Sequence, residues 1–481
     1  MTALMMHALM DSAAERYPRE VAVRRGVHTY TFAELVEISY RMARTLQDKG
    51  IQRGDRVCLS VRARIETVPL IIALSRIGAA LAPVNPDLPD EQKKSVIERF
   101  APALIVGDEP YASSTLQQLI DVPAGPAPVL GDVDDASTCL IYLTSGTTGE
   151  PKGVEVSHRA EYLRALHLSV NEPRGPFVCM FPQFHMAGWM LPFAHWASGE
   201  QVIFVDGGDT AGLVAAVANY RAHRIYAIPA VLRRILDSDL SQFDMSSLRI
   251  VDTGTSYISP GLLAEIHETF PGASTSVYYG SSEAGVVCAL RPGQIDDHPG
   301  SVGLPVSGAR VRISDTGELQ VTGPFLFKGY LDNPDATANA LVDGWYNTGD
   351  VAERDGDGFV TIKGRTREIM RSGGESVAPD VVERSLRDHP AIADVAVAGV
   401  PDEYWGEIVT AFVVARPGQS VDLAALRAHC RDSLAPPYYP RRLELVHDIP
   451  RSAATGQVQR HRLVSALTDT AATDTQERTN G

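Results

Sequence analysis

The chain has 481 residues, too many for one ordinary domain and enough for two or three, each able to bury a core without disulfide staples. Apolar residues at 44% and charged residues at 21% exclude a fibrous or wholly disordered protein. The net charge of −15, from 59 acids against 44 bases, argues against nucleic-acid partners and against docking on an anionic membrane.

The N-terminus MTALMMHALM lacks the basic opening of a secretory signal. Residues 31–49 read as an amphipathic helix: Thr31 and Glu34 form a capping box, Leu35, Ile38, Met42 and Leu46 share a face, and Gly50 ends it. VCLSV (57–61) reads as a buried strand and 66–79 as a helix. The most apolar stretch, 68–84, carries Arg76 and two prolines and falls short of a membrane span. Short strands follow at 103–106, 139–143, 177–181, 202–205 and 224–228, with helical stretches between most of them. That alternation implies βαβ units on a parallel sheet. From about residue 300 the runs ARVRI, GELQVTG and GFVTIKG suggest a smaller antiparallel subdomain. A fresh α+β pattern begins near 367, with a helix at 379–388, strands at 394–400 and 408–415, and a helix at 422–432. The tail 468–481 is polar, without apolar periodicity, and is expected to be disordered. Cys58, Cys139, Cys179, Cys288 and Cys430 are scattered and form no CxxC, which fits reduced thiols in a cytoplasmic protein.

The densest chemistry lies in LTSGTTGEPKG (143–153). It gathers Thr144, Ser145, Thr147 and Thr148 among Gly146, Gly149 and Gly153, with Lys152 near its end. Glycines permit tight turns and close ligand approach, hydroxyls and N–H groups donate to anionic oxygens, and lysine adds charge. It is no Walker A loop, since the chain has no GK dipeptide. GSSEAG (280–285) is not a GxSxG nucleophile elbow, because nothing orders a Ser–Asp–His set around it. DGDG (355–358) lacks the remaining ligands of a calcium loop and reads as a hairpin turn.

With that loop, YGSSE (279–283), GELQVTG (317–323), WYNTGD (345–350) and GRTREIMRSGGESVAP (364–379) occur in the order found in the adenylate-forming superfamily of acyl- and aryl-CoA ligases, peptide-synthetase adenylation domains and luciferases. The chain resembles that superfamily over most of residues 10–465. The resemblance implies an α/β fold: a large N-terminal domain, 1–366, of stacked α/β sheets with a small β subdomain, and a small mobile α+β C-terminal domain, 367–467. It implies an ATP-dependent AMP-forming ligase with ATP and Mg²⁺ as cofactors. A carboxylate would attack the α-phosphate to give an acyl-adenylate and pyrophosphate, and a thiol of CoA or of a carrier protein would then displace AMP. In that reading Thr144, Ser145, Gly146, Thr147, Thr148, Gly149, Lys152 and Ser282 bind phosphate. Tyr279 stacks on adenine, Glu283 holds Mg²⁺ and Asp350 accepts the ribose hydroxyls. Arg365 reaches the ribose or phosphates. FHMAGW (184–189) resembles the acyl-pocket segment, so His185 and Trp189 would narrow the pocket toward a small or aromatic acid. Gly254 and Tyr257 lie in the adenine-side loop, whose Gly-Thr-Ser-Tyr replaces the usual Gly-x-Ala-Pro. Gly373-Gly374 match glycines flanking the pantetheine path of thioester-forming relatives.

One position disagrees. The superfamily's small domain ends in a lysine that bridges carboxylate and α-phosphate; here PRSAATGQVQR (450–460) places Gln457 there, and no lysine follows Lys363. Losing one such donor costs about 2.7–4 kcal/mol elsewhere, unless Arg451, Arg460 or Lys152 substitutes. The hinge position, commonly Asp or Lys, is Arg367. These departures keep two other readings open: activation of an acid or small oxyanion such as nitrite with transfer to an amine, and a non-catalytic nucleotide-binding homologue.

Overall fold

A computed structural model describes residues 3–121, 128, 133–144, 152–169, 174–372, 375–402, 404–431, 433–452 and 456–467. The helix Phe32–Asp48 starts as its capping box dictates: Thr31 Oγ1 accepts from Glu34 N at 3.2 Å, and the Glu34 carboxylate accepts from Thr31 N at 2.7 Å. The helix Thr67–Ile77 is buried along its whole length and ends at Gly78, whose φ of 72° suits a residue without a side chain. The chain then enters a strand, Ala80–Pro83. The apolar run 68–84 is therefore a helix followed by a strand; both lie in the core, so periodicity does not separate them.

Among the described residues a six-stranded sheet runs in the order Gly329–Tyr330, Lys152–Ser157, Thr138–Thr144, Ala80–Pro83, Arg56–Ser60, Leu104–Gly107. The last four strands are parallel and the first two antiparallel additions. A nine-stranded sheet has the parallel set Val202–Phe204, Phe177–Cys179, Arg224–Tyr226, Ile250–Gly254 and Val277–Ser281 at its centre and antiparallel strands at both ends. Helices between the strands bury one continuous core.

From Arg310 to Arg365 the strands pair antiparallel. Trp345–Arg354 and Val360–Arg365 form a hairpin that Asp355 closes by accepting from Phe359 N at 2.8 Å, so DGDG is a turn. A separate core spans Met370 to Cys430, around the helix Pro379–Arg387 and the paired strands Ile392–Asp402 and Gly406–Ala415. This C-terminal unit docks against the large body at several places among the described residues, one of them the bond from Arg384 Nη2 to the Ile362 carbonyl. Arg384 and Arg387 lie over the Tyr257 ring at 4.5 and 5.5 Å. A Cβ on Gly456 would lie 3.0 Å from Ile228 Cδ1. No helix among the described residues is long and apolar enough to cross a membrane. All five cysteines are buried without disulfide partners.

Candidate active site

Asp350 and Arg365 are direct cross-strand neighbours, which puts their side chains on one face. Arg365 Nε lies 2.7 Å from Asp350 Oδ1, and the Tyr279 hydroxyl donates to Oδ2 at 2.5 Å. Asp350 is buried, and its amide donates to Thr348 Oγ1. Burial, then the Asp350 charge, pushes the Tyr279 phenol well above its usual range. Burial alone would lower the Arg365 guanidinium; Asp350 turns the net shift upward.

Glu283 sits in the turn between Val277–Ser281 and Gly285–Leu290. Its Oε1 accepts from the Tyr330 hydroxyl at 2.9 Å, and its carbonyl accepts from Phe327 N at 2.7 Å and Arg164 Nη2 at 3.0 Å. Lys152 Nζ lies over the same Tyr330 ring, 4.6 Å from its centre, so one tyrosine meets the ammonium on its face and the carboxylate at its hydroxyl. Burial, then Glu283, pushes both the Tyr330 and Tyr346 phenols upward. The sequence assigns no role to Tyr330, which lies in a two-residue strand with no motif around it, nor to Tyr346, although Tyr346 opens the Tyr-x-Thr-Gly-Asp match. Thr144 pairs with Lys152 across the antiparallel strands that flank the glycine-rich segment. Ser145, Gly146, Thr147, Thr148 and Gly149 lie outside the described residues, as do Gly373, Gly374 and the tail 468–481. Ser282 is half-buried in the Glu283 turn.

His185 is half-buried and stacks on Phe181 at 5.8 Å between ring centres. Burial lowers its imidazole to about 4, so it is neutral at pH 7. Around it Phe181, Tyr226 and Tyr278 make an aromatic cluster with centroid spacings of 5.2 and 5.9 Å. Gly254 must be small there: a Cβ would lie 2.2 Å from the Tyr278 carbonyl and 2.5 Å from the Tyr226 hydroxyl. Two expected pocket residues stand elsewhere. Trp189 is 0% exposed, with Nε1 donating to the Gln183 carbonyl at 2.6 Å, which makes it a core residue. Tyr257 is the platform on which the C-terminal unit rests.

The Gln457 carbonyl accepts from Ser452 N at 2.8 Å, and Arg451 bridges to Val458. Both nearby arginines are engaged by carboxylates of the C-terminal unit. Arg451 Nη2 holds Asp394 at 2.7 and 3.0 Å. Arg460 lies between Glu368, Asp380 and Glu383 at 2.5, 2.8 and 2.7 Å. Lys152, the third candidate, lies over the ring of Tyr330, whose hydroxyl holds Glu283.

Among the described residues no group of three or more His, Cys, Asp or Glu could hold a metal by itself. A single carboxylate such as Glu283 instead suits an ion that keeps waters and phosphate oxygens as its other ligands. Parallel sheets, a Tyr–Asp–Arg set closed around the buried Asp350 and a separate docked C-terminal unit fit a two-part nucleotide-activating enzyme. Residues 10–331 match the AMP-binding enzyme family and residues 381–455 match the AMP-binding enzyme C-terminal domain. The chain belongs to the AMP-binding enzyme family; it is an ATP-dependent, AMP-forming ligase that works with ATP and Mg²⁺. It is 31% identical to the 2-succinylbenzoate–CoA ligase of Geobacillus kaustophilus, over 92% of this chain and 94% of that one. It is similar to ATP-bound MatB from Rhodopseudomonas palustris at 25% identity, with a TM-score of 0.87 over 96% of this chain and 99% of that one. It is also similar to the amide bond synthetase McbA from Marinactinospora thermotolerans at 25% identity, with a TM-score of 0.83 over 96% and 99% of the two chains.

Proposed function

We propose that this ligase activates a small or aromatic carboxylic acid as its acyl-adenylate and transfers the acyl group to a thiol, that of CoA or of a carrier protein. The observation that carries it is the contact set Lys152–Tyr330–Glu283 together with the Tyr279–Asp350–Arg365 set, the Tyr346 phenol feeling both Glu283 and Tyr279. On this reading Tyr279 stacks on adenine and Asp350 accepts the ribose hydroxyls with Arg365 at its side. Lys152, Thr144, Ser282 and the loop hydroxyls meet the phosphates. Bound Mg²⁺, held through Glu283, neutralises phosphate charge. The carboxylate oxygen attacks the α-phosphorus as pyrophosphate leaves; the thiol sulfur then attacks the acyl carbon as AMP leaves. The aromatic cluster around a neutral His185 favours a flat, apolar acid. Residues 1–366 act as the large domain and 367–467 as the small domain that moves between steps.

A second reading, transfer of an acid or a small oxyanion such as nitrite to an amine, is favoured by Gln457 together with the engagement of Arg451 and Arg460 by their own carboxylates. The similar fold of an amide bond synthetase supports it. Pyrophosphate release with Mg-ATP, measured across a panel of acids and nitrite with CoA or amines as acceptors, separates the two readings.

Gln457→Lys is expected to raise acid-dependent ATP–pyrophosphate exchange if the substrate is an ordinary carboxylic acid. Charge gathers between α-phosphate and carboxylate, and a charge-assisted bond is roughly twice as strong as a neutral one. No gain over a robust wild-type rate moves the assignment to the second reading.

Asp350→Ala is expected to weaken ATP binding about 10- to 100-fold by calorimetry while acid binding holds. It removes the buried carboxylate that accepts from both Tyr279 and Arg365. Equal ATP affinity in wild type and variant would refute the ribose assignment.

A further inference from the structure

We propose that Arg164 is the positioning residue that sets Glu283 for its metal and ties that carboxylate to the segment beside the acid pocket. The proposal rests on the reading of Glu283 given above. Arg164 projects from the helix His158–Ser169 and is only 3% exposed. A guanidinium this deep is costly unless its donors are met. Its ion pair among the described residues, with Glu161 on the same helix, is loose at 3.5 Å. The short contacts go to backbone instead: Nε donates to the Phe325 carbonyl and Nη2 to the Glu283 carbonyl, each at 3.0 Å. A planar fork fixed on two carbonyls from separate segments sets their spacing, which the single point charge of a lysine cannot do.

Both segments bear on the same carboxylate. Phe325 opens the stretch that ends at Tyr330, whose hydroxyl holds Glu283 Oε1, while Phe327 N donates to the Glu283 carbonyl. Arg164 thus holds the turn that carries Glu283 and also the stretch that aims it. The third nitrogen, Nη1, lies 3.9 Å from the sulfur of Met186, the residue after His185. Glu161 in turn is 3.5 Å from the hydroxyl of Tyr142, in the strand that leads into the glycine-rich loop.

Gly285 records the same requirement. Its φ is +62°, and a Cβ there would lie 2.9 Å from Arg164 Nε, so the last glycine of GSSEAG makes room for this side chain. Groups that orient a metal ligand without touching the metal commonly change affinity about 10- to 100-fold when lost.

The test is ATP affinity by calorimetry, with and without Mg²⁺, in wild type, Arg164→Lys, Arg164→Met and Glu283→Ala. In wild type Mg²⁺ strengthens ATP binding. In Arg164→Lys that gain is expected to fall about tenfold, with Mg²⁺-free ATP affinity within about twofold of wild type; Arg164→Met abolishes the gain. If Arg164→Met does not fold, Arg164→Lys, which keeps the buried charge, carries the test. An unchanged Mg²⁺ gain in the arginine variants beside a lost gain in Glu283→Ala overturns the positioning role alone. Equal loss of affinity with and without Mg²⁺ in Arg164→Lys also overturns it, because that is the signature of general damage. An unchanged gain in Glu283→Ala shows that the Glu283 reading itself has failed.

Discussion

Glu283→Ala is expected to lower Mg-ATP-dependent pyrophosphate release by about 100- to 1,000-fold, the range for deleting one preorganised electrostatic group from a site. The substitution removes one buried carboxylate and leaves the fold intact. Glu283 is held by its backbone, through Phe327 N and Arg164, and its side-chain contact is with the Tyr330 hydroxyl alone among the described residues. Unfolding temperature should therefore stay close to wild type while turnover is lost. Undiminished pyrophosphate release in this variant would remove Glu283 from the magnesium site.

Arg460→Met is expected to unfold the C-terminal unit rather than to change the chemistry. Arg460 is the shared counter-ion of Glu368, Asp380 and Glu383 and also donates to the Val397 carbonyl at 2.9 Å. Breaking a buried ion pair by removing one partner costs about 3–5 kcal/mol, because the remaining charge stays buried. Burial, ahead of neighbouring carboxylates, already raises the Glu368 and Asp380 carboxyls, against the pull of Arg460. Their folded pKa values thus lie above the unfolded ones, so the folded unit binds more protons and loses stability as pH rises through that range. Without Arg460 the pKa values rise further, and the deficit should be larger at pH 8 than at pH 5. Scanning calorimetry at the two pH values measures it. An equal deficit at both would mean that Arg460 acts by packing and not by charge.

The second prediction exposes a limit of motif reading. In the sequence Arg460 was one of three candidate substitutes for the missing lysine. The structure engages it with Glu368, Asp380 and Glu383, which lie 92, 80 and 77 residues earlier in the chain. That separation carries no local pattern. The same holds for Trp189, whose place beside His185 suggested a pocket wall and whose buried ring belongs to the core. It holds for Tyr257, which meets Arg384 and Arg387 only because the C-terminal unit docks there.

The sequence by itself determined what depends on neighbours along the chain. It placed the capped helix after Thr31, the hairpin around DGDG and the shift from parallel to antiparallel strands near residue 300. The pairing of Asp350 with Arg365 across that hairpin came from the strand register, not from the motifs. Capping, turn chemistry and the two hydrophobic periods act over a few residues and leave their record there. The tertiary structure alone decided which groups aim Glu283. Arg164, Phe325 and Tyr330 converge from separate segments by close packing and backbone hydrogen bonds. Such contacts have no sequence period: a carbonyl accepts from any donor the fold brings to it, whatever residue carries it.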